Sequence, residues 1–243
     1  MSLHTKRAQT FKLFDLKSLG TLTTGTLIER KNRFLALGVV QNKAAKIHIA
    51  DTGRLEEILT PQRELLLLKN RPGLKTDYTL IAAKMDEGWV LINSRLHSPI
   101  ATQAIQQGIL GFRPKTIQKE VPFGKSRLDF KVDNTYVELK GCSLVQNSLC
   151  LFPNAPTTRG TKHIQELIQA KEMGFDASIL ILAVRKCDCF TPHPTKDEAF
   201  KAAFSEAIQK GVQFCGFFAT ITSEFEVIFD GTLPLCRGVA QPG

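Results

Sequence analysis

The chain has 243 residues, of which 43% are hydrophobic, 23% charged and 8% aromatic, and its 32 Lys and Arg against 23 Asp and Glu give a formal charge of +9. That balance excludes disordered, collagenous and coiled-coil chains, and the length suits one large domain or two small ones. The longest apolar run, Ala177 to Val184, is far shorter than the ~20 residues a membrane helix needs, and His4, Lys6, Arg7 and Lys12 interrupt any leader-like apolar centre, so a cytoplasmic protein without membrane attachment is expected.

The first ~90 residues read as short strands: Leu22 to Ile28, Phe34 to Val40, Lys46 to Ile49, Glu64 to Leu68, Tyr78 to Lys84 and Trp89 to Ile92. Turn signals at Asp51-Thr52-Gly53, Arg71-Pro72-Gly73 and Asp86-Glu87-Gly88 separate them. Strands at this spacing predict a small barrel or sandwich. The first 100 residues hold 16 basic and 9 acidic residues. An excess of this kind raises the expectation of a polyanionic partner, nucleic acid or an anionic membrane.

The remainder changes character. Helical spacing over Ile100 to Ile109 is followed by three strand-like pieces, Thr116 to Val121, Arg127 to Val132 and Thr135 to Leu139. A polar stretch with Pro153, Pro156 and Gly160 leads to a helix over Lys162 to Met173. Thr161 is its expected cap, Gly174 its stop, and Ile164, Leu167, Ile168 and Met173 its apolar stripe. Ala177 to Val184 reads as a strand buried on both faces, as in a parallel sheet. A helix over Asp197 to Lys210 and a strand over Gln213 to Ile221 complete an α/β domain with a mixed sheet. The six cysteines, Cys142, Cys150, Cys187, Cys189, Cys215 and Cys236, form no CxxC pair. Reduced, half-buried thiols are expected of them in a cytosolic chain.

The three-strand meander carries the chemistry. A two-residue turn at Asp133-Asn134 puts Asp129 opposite Glu138, and a tip at Gly124-Lys125 puts Glu120 opposite Asp129. Pro122 is the weak point of the second hairpin, since it cannot donate to a ladder. Alternation puts Glu120, Asp129, Glu138 and Lys140 on one face. Carboxylates aligned across a sheet repel one another and need a counter-charge. Mg²⁺ or Mn²⁺, which bind oxygen ligands, would supply it, with Asp129, Glu138 and Glu120 as ligands. Lys140 would then orient or help deprotonate a water, or stabilise a pentavalent phosphorus.

Longer strings resemble a known family. Glu120-Val121-Pro122-Phe123-Gly124, Ser126 to Phe130, Val137-Glu138-Leu139-Lys140, Leu151 to Ala155 and Thr158 to His163 are similar to the sugar fermentation stimulation protein A (SfsA) family, as are Gly25 to Ile28, Arg33 to Ala36, His48 with Asp51 to Gly53, and Thr60-Pro61. The resemblance implies an OB-like nucleic-acid-binding domain over residues 1–88 and a PD-(D/E)xK nuclease-like domain over 89–243, with the signature on Asp129, Glu138 and Lys140. It also implies a DNA-binding protein linked to sugar (maltose) metabolism. The chain departs from the family pattern where acids on the first helix are replaced by Thr102, Gln103 and Gln106, and at Asp51 and Asn154.

Phosphate contacts are expected from Lys31, Arg33, Arg54, Arg71 and Lys75 in the first domain, and from Arg127, Arg159, Lys162 and His163 in the second. His163 and Glu166 share a helix face. Phe34, Tyr78 and Trp89 are stacking candidates, although barrel core is the favoured place for Phe34 and Trp89. The leading expectation is a Mg²⁺-dependent DNA/RNA nuclease, with a homodimer among its expected assemblies. The alternatives are a non-catalytic DNA-binding regulator on a nuclease scaffold, and a thiol or zinc protein built on Cys187 and Cys189.

Overall fold

Residues 10–51 and 53–239 are described in the computed structural model. The leader region at residues 1–9 and Thr52, the centre of an expected turn, lie outside them. In chain order the elements are β1 (Phe11–Asp15), β2 (Leu22–Asn32), β3 (Leu35–Val40), β4 (Lys43–His48), β5 (Glu64–Lys69), β6 (Tyr78–Met85), β7 (Gly88–Leu91), α1 (His97–Gln106), β8 (Ile117–Phe123), β9 (Ser126–Val132), β10 (Thr135–Cys142), β11 (Leu144–Gln146), β12 (Leu149–Phe152), α2 (Thr158–Glu172), β13 (Asp176–Ala183), β14 (Cys189–Pro192), α3 (Glu198–Gln209), β15 (Gln213–Ile221) and β16 (Glu226–Thr232). Among the described residues no helix is long and apolar enough to cross a membrane.

β2 to β6 form the barrel, in the order β4-β3-β2-β5-β6, closed by a parallel pairing of β4 with β6. Leu27, Ile47, Leu65 and Leu67 fill it and are fully buried. β7 links it to the second sheet through a bridge from Trp89 to Ile221. That sheet runs β15-β13-β10-β9-β8, with β16 on β15 and β1 on β16. β10, β13 and β15 are parallel. Ile179, Leu180, Ile181 and Leu182 of β13 are fully buried, because helix α2 covers one face and the barrel side covers the other. Each such side chain contributes about 1.5–3 kcal/mol of burial.

Helix α2 starts four residues earlier than the sequence predicts. Thr157, not Thr161, is its cap: the Thr157 hydroxyl accepts the Gly160 N–H at 3.0 Å, while the Thr161 hydroxyl donates back to the Thr157 carbonyl inside the helix. Thr157 wins because its own N–H is already fixed by the Asp197 carboxylate at 2.7 Å. Gly174, at φ +88, ends the helix as expected. Met173 is outside the apolar stripe and 67% exposed, since the helix stops before it.

The expectation of unpaired cysteines is corrected. Cys150 pairs with Cys187, and Cys189 with Cys236, leaving Cys142 and Cys215 as buried free thiols. The cause is a small sheet, β11-β12-β14, that the sequence reading missed. Parallel pairing of Cys150 with Phe190 brings Cys150 beside Cys187. A bridge from Phe190 to Leu235 does the same for Cys189 and Cys236. Cys189 pairs with Leu149 and Cys150 with Phe190, so Cys150 and Cys189 point to opposite faces of the sheet. The thiol or zinc alternative built on Cys187 and Cys189 is contradicted, since both residues are taken up in disulfides.

Candidate metal and nucleic-acid site

The hairpin registers follow the turn residues. β9 pairs with β10 as Val132 with Thr135, Lys131 with Tyr136 and Phe130 with Val137. β8 pairs with β9 as Phe123 with Ser126, Val121 with Leu128 and Lys119 with Phe130. Asp133 takes the left-handed turn position at φ +50. Its carboxylate accepts the Thr116 N–H at 2.8 Å and the Lys115 N–H at 3.1 Å, and these bonds hold it below the usual carboxylate range.

The ladder opens where the acids meet. Asp129 Oδ2 accepts the Leu139 N–H at 2.7 Å, so a side chain replaces the next backbone partner. On the other side Glu120 sits at φ +51, a left-handed kink in β8. Pro122 is accommodated in the edge strand, where its missing donor costs nothing.

The polar face is not open to water, because α2 lies on it. Ile164, Leu167 and Ile168 pack with Leu128, Tyr136, Ile179 and Ile181. Glu138 is consequently 2% exposed. Its Oε1 receives Lys140 Nζ and lies 2.5 Å from His163 Nδ1. Its Oε2 is buried with no hydrogen-bond partner among the described residues. Burial pushes the Glu138 carboxyl up, but the His163 hydrogen bond and the Lys140 ammonium outweigh it and leave a net lowering. Asp129 goes the other way. Burial and then the Glu138 charge push it up to about 6, against the Leu139 N–H and Lys140, with Glu120 adding to the rise. The two carboxylates thus have opposite environments within one site.

Glu166 completes the cluster from α2. It is 5% exposed, its Oε1 accepts the Ser126 hydroxyl and lies 3.7 Å from Lys162 Nζ, and its Oε2 has no partner among the described residues. Ser126 was missed in the sequence; the signal was its place at the hairpin tip facing the helix that carries Glu166.

A cleft of about 730 Å³ opens between the β8–β9 hairpin and the first turns of α2, lined by Glu120, Arg127, Arg159, Lys162 and His163 among others. Arg127, Arg159 and Lys162 are therefore gathered at one mouth. His163, expected among the phosphate contacts, is 3% exposed and turned inward onto Glu138. A larger cleft, about 1000 Å³, lies beside the Cys189–Cys236 disulfide and holds none of the predicted site residues.

The barrel residues divide between its two ends. Arg33, at the β2–β3 tip, lines a cleft between barrel and second sheet. Lys31 pairs with Glu29 at 2.5 Å. Arg54 is exposed in the loop after β4, which Arg30 pins by donating to the Gly53 and Arg33 carbonyls at 2.9 and 3.2 Å. Arg71 and Lys75 lie in the β5–β6 loop. Strand directions put that loop beside the β3–β4 turn, at the other end from Arg33. Phe34 is not barrel core: it is 53% exposed at the hairpin tip, while Trp89 packs edge-on against Phe225.

Among the described residues no three His, Cys, Asp or Glu side chains converge as a protein-only cage. Asp129 and Glu138, whose charges act on one another, would offer a cation a partial, all-oxygen set, and Glu120 does not join them as a third converging ligand. Mg²⁺ takes one or two carboxylates and completes its shell with waters and phosphate oxygens. The unpartnered Glu138 Oε2 is the observation that makes the fit.

Comparisons with known proteins give the family and the fold. Residues 95–225 match the family model described as the sugar fermentation stimulation protein RE domain, and residues 28–92 that of the SfsA N-terminal OB domain. A sugar fermentation stimulation protein homolog from Saccharolobus solfataricus is 38% identical over 213 residues, 87% of this chain and 84% of the relative. One from Methanococcoides burtonii is 40% identical over 225 residues, 87% of this chain and 91% of the relative. A solved structure of Pyrococcus furiosus SfsA in complex with Ca²⁺ superposes with a TM-score of 0.82 at 26% identity, covering 93% of this chain and 99% of that one. The chain belongs to the sugar fermentation stimulation protein (SfsA) family.

Proposed function

We propose that this protein is a divalent-cation-dependent nuclease that hydrolyses phosphodiester bonds of DNA or RNA, with the barrel as its nucleic-acid-binding module. Glu138 carries the reading. A carboxylate this buried, with one oxygen unpartnered, is costly unless something binds it. A hard cation held by Glu138 and Asp129, with Glu120 at the rim, removes that cost. The oxygen donor set favours Mg²⁺ or Mn²⁺ over softer metals. The Ca²⁺ complex of the Pyrococcus furiosus relative supports a cation of the same oxygen-seeking kind.

When bound, such a cation supplies positive charge against phosphoryl oxygens and makes water more acidic. This chain's residues do the rest. His163 fixes the Glu138 carboxylate in one orientation. Lys140, held at Glu138 Oε1, places an ammonium where it hydrogen-bonds the attacking water and offsets charge building on phosphorus. Arg127, Arg159 and Lys162 hold flanking phosphates at the mouth of the cleft. Such contacts fix the strand's register without reading its sequence.

A second reading, a non-catalytic DNA-binding regulator of sugar metabolism, is favoured by Thr102, Gln103 and Gln106 on α1, where the family pattern has acids. A cleavage assay separates the two. Purified protein with Mg²⁺ or Mn²⁺ is expected to cut labelled single- or double-stranded DNA or RNA, and Asp129→Ala to lose that activity. Salt-sensitive binding without any cleavage by the wild type would establish the regulator instead.

A further inference from the structure

At the carboxyl end of the parallel strand β10 a cleft of about 390 Å³ opens between the barrel and the second sheet. Open α/β sheets bind ligands at this position. The volume lies at the lower end of the roughly 300–1,000 Å³ of small-molecule sites, which is room for one nucleoside. Both halves of the chain line it. Arg33 comes from the β2–β3 tip, Asp51 from the loop after β4, His97 from the start of α1, Ser143 from the end of β10 and Asn154 from the loop before α2.

Gly141 forms part of the cleft wall. A side chain there would collide with the His97 ring, so the imidazole packs directly on the backbone. Gly141 follows Lys140, and consecutive Cα atoms are about 3.8 Å apart. Neighbouring residues of a strand face opposite sides of the sheet, so the cleft meets β10 on the face away from the Lys140 ammonium, which lies with Glu138 on the α2 side. Asp51 Oδ1 accepts the Gly53 N–H at 2.6 Å. Asp51 Oδ1 and Asn154 Nδ2 also face one small space, lying 2.9 and 3.0 Å from the point a Gly53 side chain would occupy. Among the described residues the side chains of Arg33, His97, Ser143 and Asn154 make no hydrogen bond or ion pair within the protein. Burial pushes the His97 imidazole below its ordinary value, against the pull of Asp51, so it is available as a neutral donor and acceptor.

A guanidinium at the mouth suits a phosphate. A carboxylate, an amide, a hydroxyl and a neutral imidazole inside suit the donors and acceptors of a base edge or a sugar. We propose that this cleft seats a single nucleotide of a bound nucleic-acid strand, with its phosphate on Arg33 and its base or sugar against Asp51, His97, Ser143 and Asn154. The proposal rests on the nucleic-acid reading above. A base paired in a duplex cannot enter a pocket of this size, so the strand engaged here is single or locally unpaired.

The test is titration calorimetry in EDTA with four 5′-mononucleotides, ribose 5-phosphate and a single-stranded 12-mer. The wild type is expected to bind at least one mononucleotide about tenfold more tightly than ribose 5-phosphate, the scale of one base contact. Asn154→Ala and Ser143→Ala, two changes of half-buried loop residues expected to leave the melting temperature unchanged, should erase that preference. Arg33→Ala should weaken mononucleotide and ribose 5-phosphate alike. Equal affinity for both ligands, or a preference that survives both variants, would overturn the proposal; the nuclease reading would stand if the 12-mer still binds. Failure to bind the 12-mer as well would overturn the proposal, while the nuclease reading is decided separately by the cleavage assay with Mg²⁺ or Mn²⁺.

Discussion

Nδ1 of His163 on α2 lies 2.5 Å from Oε1 of Glu138 on β10. The helix is thus fastened to the sheet through the residue proposed to hold the cation, and that oxygen also receives Lys140. Removing the imidazole frees the carboxylate to rotate. His163→Ala is expected to weaken Mn²⁺ binding by about 10–100-fold, the usual cost of losing a group that orients a ligand. Titration followed by electron paramagnetic resonance reads this directly. Unchanged affinity would show that Glu138 is oriented by something else.

Asp129 gives a pH signature. An exposed Asp titrates near 3.9, and here burial and the Glu138 charge push it up to about 6. The folded chain therefore holds this proton more tightly than the unfolded chain does. Ionised Asp129 costs stability above pH 6, and the cost fades as pH falls from 6 towards 4. In EDTA, Asp129→Asn should be more stable than the wild type at pH 8 by on the order of 2 kcal/mol, with the gap closed near pH 4. Urea midpoints at the two pH values check this, and a gap that widens on acidification would refute it.

Thr157 carries the entry to α2, with its hydroxyl on the Gly160 N–H and its N–H on Asp197. Thr157→Ala should lower stability by about 1 kcal/mol. It should also raise KM more than it lowers kcat, because Arg159 and Lys162 sit in the turns that loosen. Thr161→Ala, inside the helix, should cost less. Equal effects from the two would place the cap elsewhere.

Thiol counting tests the cysteine pairing. Protein unfolded in guanidine without reductant should titrate two thiols, Cys142 and Cys215, and reduction should release the other four. Closing loops across 37 and 47 residues, the two bonds should together stabilise the fold by several kcal/mol, at about 2–4 kcal/mol each. Six thiols before reduction would contradict the pairing.

The meander was legible because turn chemistry fixes register. Asp133-Asn134 and Gly124-Lys125 were enough to fix both hairpin registers, but the expected Asp129–Glu138 and Glu120–Asp129 pairs are not among the ladder pairs, since the Asp129 side chain takes the Leu139 N–H and Glu120 sits in a kink. Alternation alone could not show that α2 would cover the polar face, since helix contacts come from the far side of the sequence. The sequence puts His163 on one helix face with Glu166 and expects it at a phosphate; its burial to 3% exposure against Glu138 shows only in the fold. β12 and β14 have four residues each, too short for a period to show, and the disulfides they create were missed with them. β1 and β16, Phe11–Asp15 and Glu226–Thr232, do alternate but pair across the whole chain. His97 was overlooked because its role comes from contact with Gly141, which only the tertiary fold supplies.

The division of labour between cation and ammonium is tested most directly by Lys140→Ala, assayed side by side for Mn²⁺ binding and for cleavage of labelled single-stranded DNA and RNA. The account predicts that the variant still binds Mn²⁺ through Asp129 and Glu138 while turnover falls at least about 100-fold, the range attributed to one positioned proton-transfer or charge-stabilising group. Full cleavage by Lys140→Ala, or a wild type that binds Mn²⁺ and cuts neither polymer, would contradict it.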